Sequence, residues 1–244
     1  MRYLVLSDIH SNLVALEAVL AHAGPVDAVW CLGDTVGYGP QPNECVARVQ
    51  GLPGLVCVAG NHDWAALGKV DLSDFNTEAR LAAEWTARQL TPESRTWLAG
   101  LPERVESDDF TLVHGSPQHP IWEYVLTSAV AAESFSHFGT QACLVGHSHV
   151  AVIFLEPGRQ HATAPAVAPR LGEPFSYRPV RALINPGSVG QPRDGDPEAS
   201  YLLVDTTAAT VVYQRVPYAV GETQRRMRSE GLPPALAARL AYGW

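Results

Sequence analysis

Five short apolar runs, rich in valine and leucine, each stop at a residue able to ligate a metal ion. They are YLVL before Ser7-Asp8, VWCL before Gly33-Asp34, LVCVA before Gly60-Asn61, FTLV before His114, and ACLV before Gly146-His147. Continuous apolar runs of this length suit strands buried on both faces, and open α/β sheets place their ligands outside the carboxyl ends of such strands. The chain is therefore constrained to gather its chemistry along one sheet edge. Between the first two runs, Leu13, Leu16, Val19 and Leu20 fall at helical spacing and Gly24 is placed as a stop. Asp8, Asp34 and Asn61 lie 26 and 27 residues apart, close to the ~30 residues of a strand–helix–strand unit, which predicts a parallel sheet in the opening third.

Residues 73–101 read as helices, with Thr91 as N-cap and Pro92 in the first helical position. Trp85 and Trp97 within this segment, and Trp64 near its start, are read as packing the helices onto the main body rather than as a cap over a site. After residue 150 the pattern changes to short strands, AVIFLE, RALIN, YLLVDTT and TVVYQRV, followed by a helical tail from Val220. The Ala/Pro-rich stretch 161–170 reads as a loop or hairpin arm without a function. The organisation expected is one domain over 1–244, with a helical insertion at about 64–102 and a helical tail at about 218–244.

Composition narrows the class. With 46% hydrophobic and 17% charged residues the chain can bury a core, which excludes disorder, collagen and coiled coil. A net charge of −8 argues against non-specific nucleic-acid binding through a basic surface. The apolar run at the N-terminus meets Asp8 after four residues, and no later segment approaches the ~18 apolar residues of a membrane span, so a cytoplasmic protein with no membrane partner is expected. Cys31, Cys57 and Cys143 lie in apolar runs and Cys45 in a helical stretch, without C-x-x-C spacing, as buried reduced thiols would.

The ligand pattern is richer than five single residues. Asp8 and His10 are two apart, so an extended segment would point both to one side, and His147 and His149 repeat the device. Two carboxylates, one amide oxygen and four imidazoles match neither an all-oxygen calcium site nor a thiolate zinc site, and suit Mn²⁺, Fe or Zn²⁺ with open positions. Seven candidates exceed what one catalytic ion uses, so two ions sharing a carboxylate is the simplest reading.

Asp8-Ile-His10, Gly33-Asp34, Gly60-Asn61-His62-Asp63, His114-Gly115 and Gly146-His147-Ser148-His149 resemble the calcineurin-like metallophosphoesterase superfamily, the small bacterial phosphodiesterases in particular. The resemblance covers residues 1 to about 205, including Asn185-Pro-Gly-Ser188 and the SYLLVD run. It implies an α/β fold, a four-layer αββα sandwich of two mixed β-sheets flanked by helices. It also implies two divalent metal ions, Mn²⁺ foremost with Fe²⁺, Zn²⁺ and Ni²⁺ as alternatives, one on Asp8, His10, Asp34 and His149 and the other on Asp34, Asn61, His114 and His147. A hydroxide held between them would attack phosphorus.

His62, held beside the metals by Asn61, is the candidate catalytic residue that does not ligate, and Asp63 is expected to fix its tautomer. Gly37 and Tyr38 stand where Ser/Thr phosphoprotein phosphatases carry an Asp-Arg pair, which disfavours that activity. Tyr38, Ser188 and Arg193 are candidate substrate-binding residues, with a bland loop tyrosine and a turn at Pro186-Gly187 carrying a solvated arginine as equal alternatives. The function expected is hydrolysis of small or nucleotide-like phosphodiesters. A phosphomonoesterase or dinucleoside polyphosphate hydrolase is the alternative, and a non-catalytic metal-binding scaffold is disfavoured because all seven ligands and His62 are present. The partner is a small phosphoester, nucleotides included, and an oligomer is left open.

Overall fold

The computed structural model describes residues 1–158 and 162–244, so His161 of the Ala/Pro-rich stretch lies outside the described residues. The opening third alternates as expected: β1 (Arg2–Leu6), α1 (Leu13–Ala23), β2 (Ala28–Cys31), α2 (Pro42–Gln50) and β3 (Val56–Cys57). β1 pairs parallel with β2, and β2 parallel with β3. The Asn12 side chain caps α1 by accepting from Ala15 N at 3.2 Å, and Gly24, at φ 66°, ends it. Three helices follow, α3 (Asn61–Leu67), α4 (Thr77–Gln89) and α5 (Pro92–Ala99), with Thr91 Oγ1 accepting from Ser94 N at 3.2 Å as the predicted cap.

The second half supplies β4 (Arg104–Ser107), β5 (Phe110–Val113), α6 (Ser128–Ser134), β6 (Ala142–Leu144), β7 (Ala151–Leu155), β8 (Ala166–Val167), β9 (Pro174–Ser176) and β10 (Ala182–Pro186). It ends with β11 (Ala199–Asp205), β12 (Thr210–Val216), α7 (Val220–Ser229) and α8 (Pro234–Arg239). Two six-stranded sheets result, ordered β3-β2-β1-β11-β12-β9 and β4-β5-β6-β10-β7-β8. Both are mixed: β11 runs antiparallel to β1, whereas β5, β6 and β10 run parallel and β7 returns antiparallel to β10.

Strand periodicity divides the core. Val5, Trp30, Phe110, Leu112, Leu144, Ile184 and Tyr213 fill the space between the sheets. The alternate residues Leu4, Leu6, Val29 and Cys31 face outward onto Leu16, Val19 and Val49 of α1 and α2, while Val113, Cys143 and Leu183 pack under Ala131, Phe135 and Phe138. The central strands β1, β2, β5, β6 and β10 are covered on both sides, which is why their sequences are largely apolar and why the layers read α-β-β-α. Trp97 packs against the α1–α2 side and Trp85 against a cluster containing Tyr38, in line with the packing reading. Among the described residues no helix is long and apolar enough to cross a membrane.

Candidate metal centre

The parallel strands of both sheets end on the same side, and the seven candidate ligands sit at those ends. The backbone there departs from the sequence expectation. Asp8, His10, Asp34, His147 and His149 all have positive φ, between 49° and 63°, so the Asp-x-His and His-x-His pairs converge through left-handed turns and not through an extended segment. Such residues cost about 1–3 kcal/mol each and persist where surrounding structure holds them. One such constraint is Gly60, where an added Cβ would lie 2.1 Å from Asp34 Oδ1.

Two groups of donor atoms form. Asp8, His10, Asp34 and His149 offer one ligand atom each within 4.8 Å of one another, as do Asp34, His114 and His147. Asp34 belongs to both. His149 Nε2 is 3.2 Å from Asp8 Oδ1 and 3.1 Å from His10 Nε2, and His114 Nε2 is 3.3 Å from Asp34 Oδ2 and 3.0 Å from Asn61 Oδ1.

The outer atoms explain the convergence. Nδ1–H of His10, His114 and His149 donates to the carbonyls of Val36, Leu32 and Gln191 at 3.2, 2.8 and 2.6 Å, which leaves each Nε2 lone pair facing inward. His147 is held the other way round, Nε2–H to Trp122 O at 3.1 Å, which leaves Nδ1 as its free lone pair. Each carboxylate likewise has one oxygen engaged, Asp8 Oδ2 by Ser7 Oγ at 2.6 Å and Asp34 Oδ1 by His62 N–H at 2.8 Å. The other oxygens, Asp8 Oδ1 and Asp34 Oδ2, are buried without a hydrogen-bond partner. Buried orphan carboxylate oxygens facing imidazole lone pairs are what divalent cations satisfy, so these residues fit two such ions.

Burial pushes the His147 imidazole down to about 3, and pushes His10 well below the usual histidine range, so both are neutral ligands at pH 7. Burial also pushes His114 down, but the Asp34 carboxylate beside it outweighs this and lifts the imidazole to about 9. Without metal, His114 therefore carries a proton that ion binding must release.

The sequence profile of the calcineurin-like phosphoesterase superfamily domain matches residues 1–209. The chain belongs to this superfamily. A metallophosphoesterase from Sphaerobacter thermophilus is 49% identical, with a TM-score of 0.92 over 100% of this chain and 99% of that one. An uncharacterized protein of Methanocaldococcus jannaschii is 37% identical over 247 residues, covering 98% of this chain and 97% of the relative. A hypothetical protein of Pyrococcus horikoshii, 19% identical, shares the fold at a TM-score of 0.80, covering 100% and 98% of the two chains. Calcineurin-like phosphoesterases hydrolyse phosphoesters with bound metal, and the αββα architecture here is theirs.

Around the phosphoesterase's ligands, the remaining predicted residues divide. His62 is buried, its ring edge-on to His10 at 4.9 Å and to Phe75 at 5.1 Å, and its Nδ1 is without a partner. Burial pushes its pKa down to about 4. Asp63 does not orient that ring: Oδ1 accepts from Val36 N–H at 3.1 Å and Oδ2 from Gly60 N–H at 3.0 Å, because a carboxylate in the first turn of α3 is drawn to unsatisfied amides. Burial, then the Asp34 charge, raise Asp63 to about 7.

Ser188 does not face substrate either. It is fully buried, its hydroxyl donating to Asp8 O and accepting from Gln191 N–H, both at 2.8 Å, so it braces the loop that presents Asp8. Asn185 does the same for the His147 loop, donating to Gly146 O at 2.7 Å and Ser148 Oγ at 3.0 Å. Tyr38 and Arg193 do reach the site. The Tyr38 ring lies 4.3 Å from that of His62 and 4.7 Å from that of His10, and Arg193 Nη2 donates to Tyr38 Oη at 3.4 Å.

A cleft of about 200 Å³ opens onto Asn61, His62 and His147, walled by Tyr38, Phe75, Trp122 and Tyr124. Tyr124 stacks on His147 at 3.7 Å, and Phe75 meets Trp122 edge-on at 5.6 Å. Sequence reasoning missed Phe75. It precedes Asn76, the N-cap of α4, a local signal that says nothing about which surface the insertion covers.

Proposed function

We propose that this phosphoesterase is a dinuclear metal-dependent phosphodiesterase acting on small or nucleotide-like diesters. The observation that carries the reading is the cleft: among the described residues its wall holds Tyr38, Phe75, Trp122 and Tyr124 and includes neither lysine nor arginine. A diester monoanion has one fewer charge than a monoester dianion and brings a second organic group, so it needs less cationic grip and more aromatic surface.

Asp8, His10, Asp34 and His149 would hold one ion, and Asp34, Asn61, His114 and His147 the other, with Mn²⁺ as the foremost candidate and Fe²⁺, Zn²⁺ or Ni²⁺ as competitors. When bound, such cations supply positive charge to phosphoryl oxygens and lower the pKa of water. His62, neutral at pH 7 without substrate, offers a ring N–H as a hydrogen bond to a phosphoryl or leaving oxygen; a phosphate charge beside it raises its pKa, so that the ring takes up a second proton from solvent and can pass it to the departing oxygen, returning to the neutral form. Tyr124 and Trp122, partly exposed at the cleft mouth, give a planar organic group a stacking surface. The four cysteines are free and buried, which supports a reducing, cytoplasmic setting.

With Mn²⁺, kcat/KM should be higher for bis-p-nitrophenyl phosphate or a cyclic nucleotide than for p-nitrophenyl phosphate. A monoester preference that persists across Mn²⁺, Fe²⁺ and Zn²⁺ would overturn the diesterase reading in favour of a phosphomonoesterase.

A further inference from the structure

The helical tail lies beyond residue 209, where the family profile ends, yet it reaches the turn that carries a candidate ligand. His10 and Ser11, with φ of 49° and 54°, are the central residues of a turn that Asn12 N–H closes on Ile9 O at 3.1 Å. Two successive left-handed residues are what a mirror-image turn requires, and glycine, asparagine or aspartate usually supplies them. With histidine and serine there the turn is strained, and such strain persists only where the surrounding structure over-determines it.

Main-chain bonds hold the body of the turn: His10 N–H donates to Asp34 O at 2.9 Å and Ser11 N–H to Thr35 O at 3.0 Å. Its exit is held by the Asn12 side chain. Asn12 is buried and makes three hydrogen bonds: Oδ1 accepts from Ala15 N–H at 3.2 Å and from the Thr223 hydroxyl at 2.9 Å, and Nδ2 donates to Gly190 O at 2.9 Å. Gly190 N–H donates in turn to Asp8 O at 2.9 Å, and Gly190 presses so closely on the turn that an added Cβ would overlap Ile9 O. Asn12 therefore joins the His10 turn to the loop behind Asp8, and Thr223 joins Asn12 to a helix 211 residues away in the chain. That helix is firmly seated. Met227, four residues after Thr223 and so on the same face of α7, buries with Tyr38, Leu236 and Leu240.

Asp8 and His10 belong to one donor group, with Asp34 and His149. Among the described residues, none of the Asn12 hydrogen bonds goes to the loops that carry His114 and His147 of the other group. We infer that Thr223 is a positioning residue for the metal centre: through Asn12 it holds the strained His10 turn, and with it the ion site of Asp8, His10, Asp34 and His149. The tail is then a working part of the centre and not only a cover for the fold. The inference rests on the two-ion reading above and adds to it a segment that the family profile does not include.

The test is Mn²⁺ titration of the full chain, followed by the electron paramagnetic resonance of the free ion, on two backgrounds. His147→Ala leaves the Asp8–His10–Asp34–His149 group intact, and His10→Ala leaves the other. Thr223→Val keeps the outline of the side chain and removes the hydroxyl. On the His147→Ala background it should weaken Mn²⁺ binding about tenfold, the low end of what disturbed ligand support costs; on the His10→Ala background the affinity should stay within about twofold. Thr223→Ser, which keeps the hydroxyl, should bind as the parent does. Equal losses on both backgrounds, or no loss on the first, are what a residue that only packs the tail would give, and either would overturn the inference. A thermal melt in chelator shows whether each variant is folded; where Thr223→Val is not, Thr223→Ala, which sets no methyl against Asn12 Oδ1, takes its place under the same criteria. If the unsubstituted protein takes up one Mn²⁺ only, the two-ion reading falls, whereas a loss in Thr223→Val that Thr223→Ser does not show still supports the role of Thr223.

Discussion

Replacing Gly60 by alanine separates metal binding from fold. Gly60 has φ −110° and ψ 172°, a conformation alanine adopts freely, so the substitution carries no penalty from a left-handed backbone. It gains about 0.4–1 kcal/mol by restricting the unfolded chain and loses a similar amount because alanine is a poorer N-cap for α3. What remains is contact. The new Cβ would lie 2.1 Å from Asp34 Oδ1 and 2.4 Å from Asp34 N, and since one of these is backbone, Asp34 itself must move. Overpacking of this kind costs about 1–3 kcal/mol.

Asp34 contributes to both donor groups, so its displacement should weaken both ions by the ~10–100-fold typical of disturbed ligand support. At fixed free Mn²⁺ above both dissociation constants, that removes about 1.4–2.7 kcal/mol of metal-linked stability per ion. For a chain of this size the loss is roughly 3–10 °C of the Mn²⁺-induced rise in Tm per ion. The assay is a thermal melt in chelator and in Mn²⁺. Gly221→Ala in α7, where the added Cβ meets nothing within 4 Å, is the control and should raise Tm in both conditions equally. A Gly60→Ala protein whose Tm rises with Mn²⁺ as far as wild type would refute the reasoning.

Three further outcomes follow from the same geometry. His62→Ala should keep both ions, because its main-chain N–H still donates to Asp34 Oδ1, yet lose kcat by about 10²–10⁴-fold; metal analysis showing an emptied site would instead make His62 a ligand. Ser188→Ala leaves Asp8 O and Gln191 N–H buried without their partner and should cost about 1–3 kcal/mol in denaturant melts, with weaker Mn²⁺ binding and an unchanged KM; a raised KM at full metal occupancy would return Ser188 to the substrate. On the alkaline side, burial raises Tyr3 and Tyr218 to about 12 against ~10 in the unfolded chain. Their contribution is complete below pH 10 and is lost as pH rises through 12, so phenolate absorbance from these residues should grow in together with loss of native circular dichroism. Full tyrosine ionisation near pH 10 in a still-folded protein would contradict this.

The strand ends were legible because the signal is local: an apolar run followed at once by a ligand needs no knowledge of distant residues, and the parallel β1, β2 and β3 sit where the 26- and 27-residue spacings predicted. The cap at Thr91 is likewise read from its own neighbours. Short edge strands escaped for the opposite reason. β4 is half charged, and β8 and β9 have two and three residues, too few to show a period.

At the site, the sequence alone determined which residue types collect there, and tertiary structure decided what each does. Asp63 was placed beside His62 by adjacency, but α3 turns its carboxylate onto the amides of Gly60 and Val36. Ser188 was placed at the rim by motif, but β10 delivers it into the interior under Asp8. Phe75 and the tail residues around Tyr38 carried no signal at all, since their contacts join segments far apart in the chain. Backbone propensity and strand burial act over a few residues and can be read along the sequence. The direction of a side chain in a packed site depends on which hydrogen-bonding groups and apolar surfaces the whole fold brings against it, and those are settled only when the layers close.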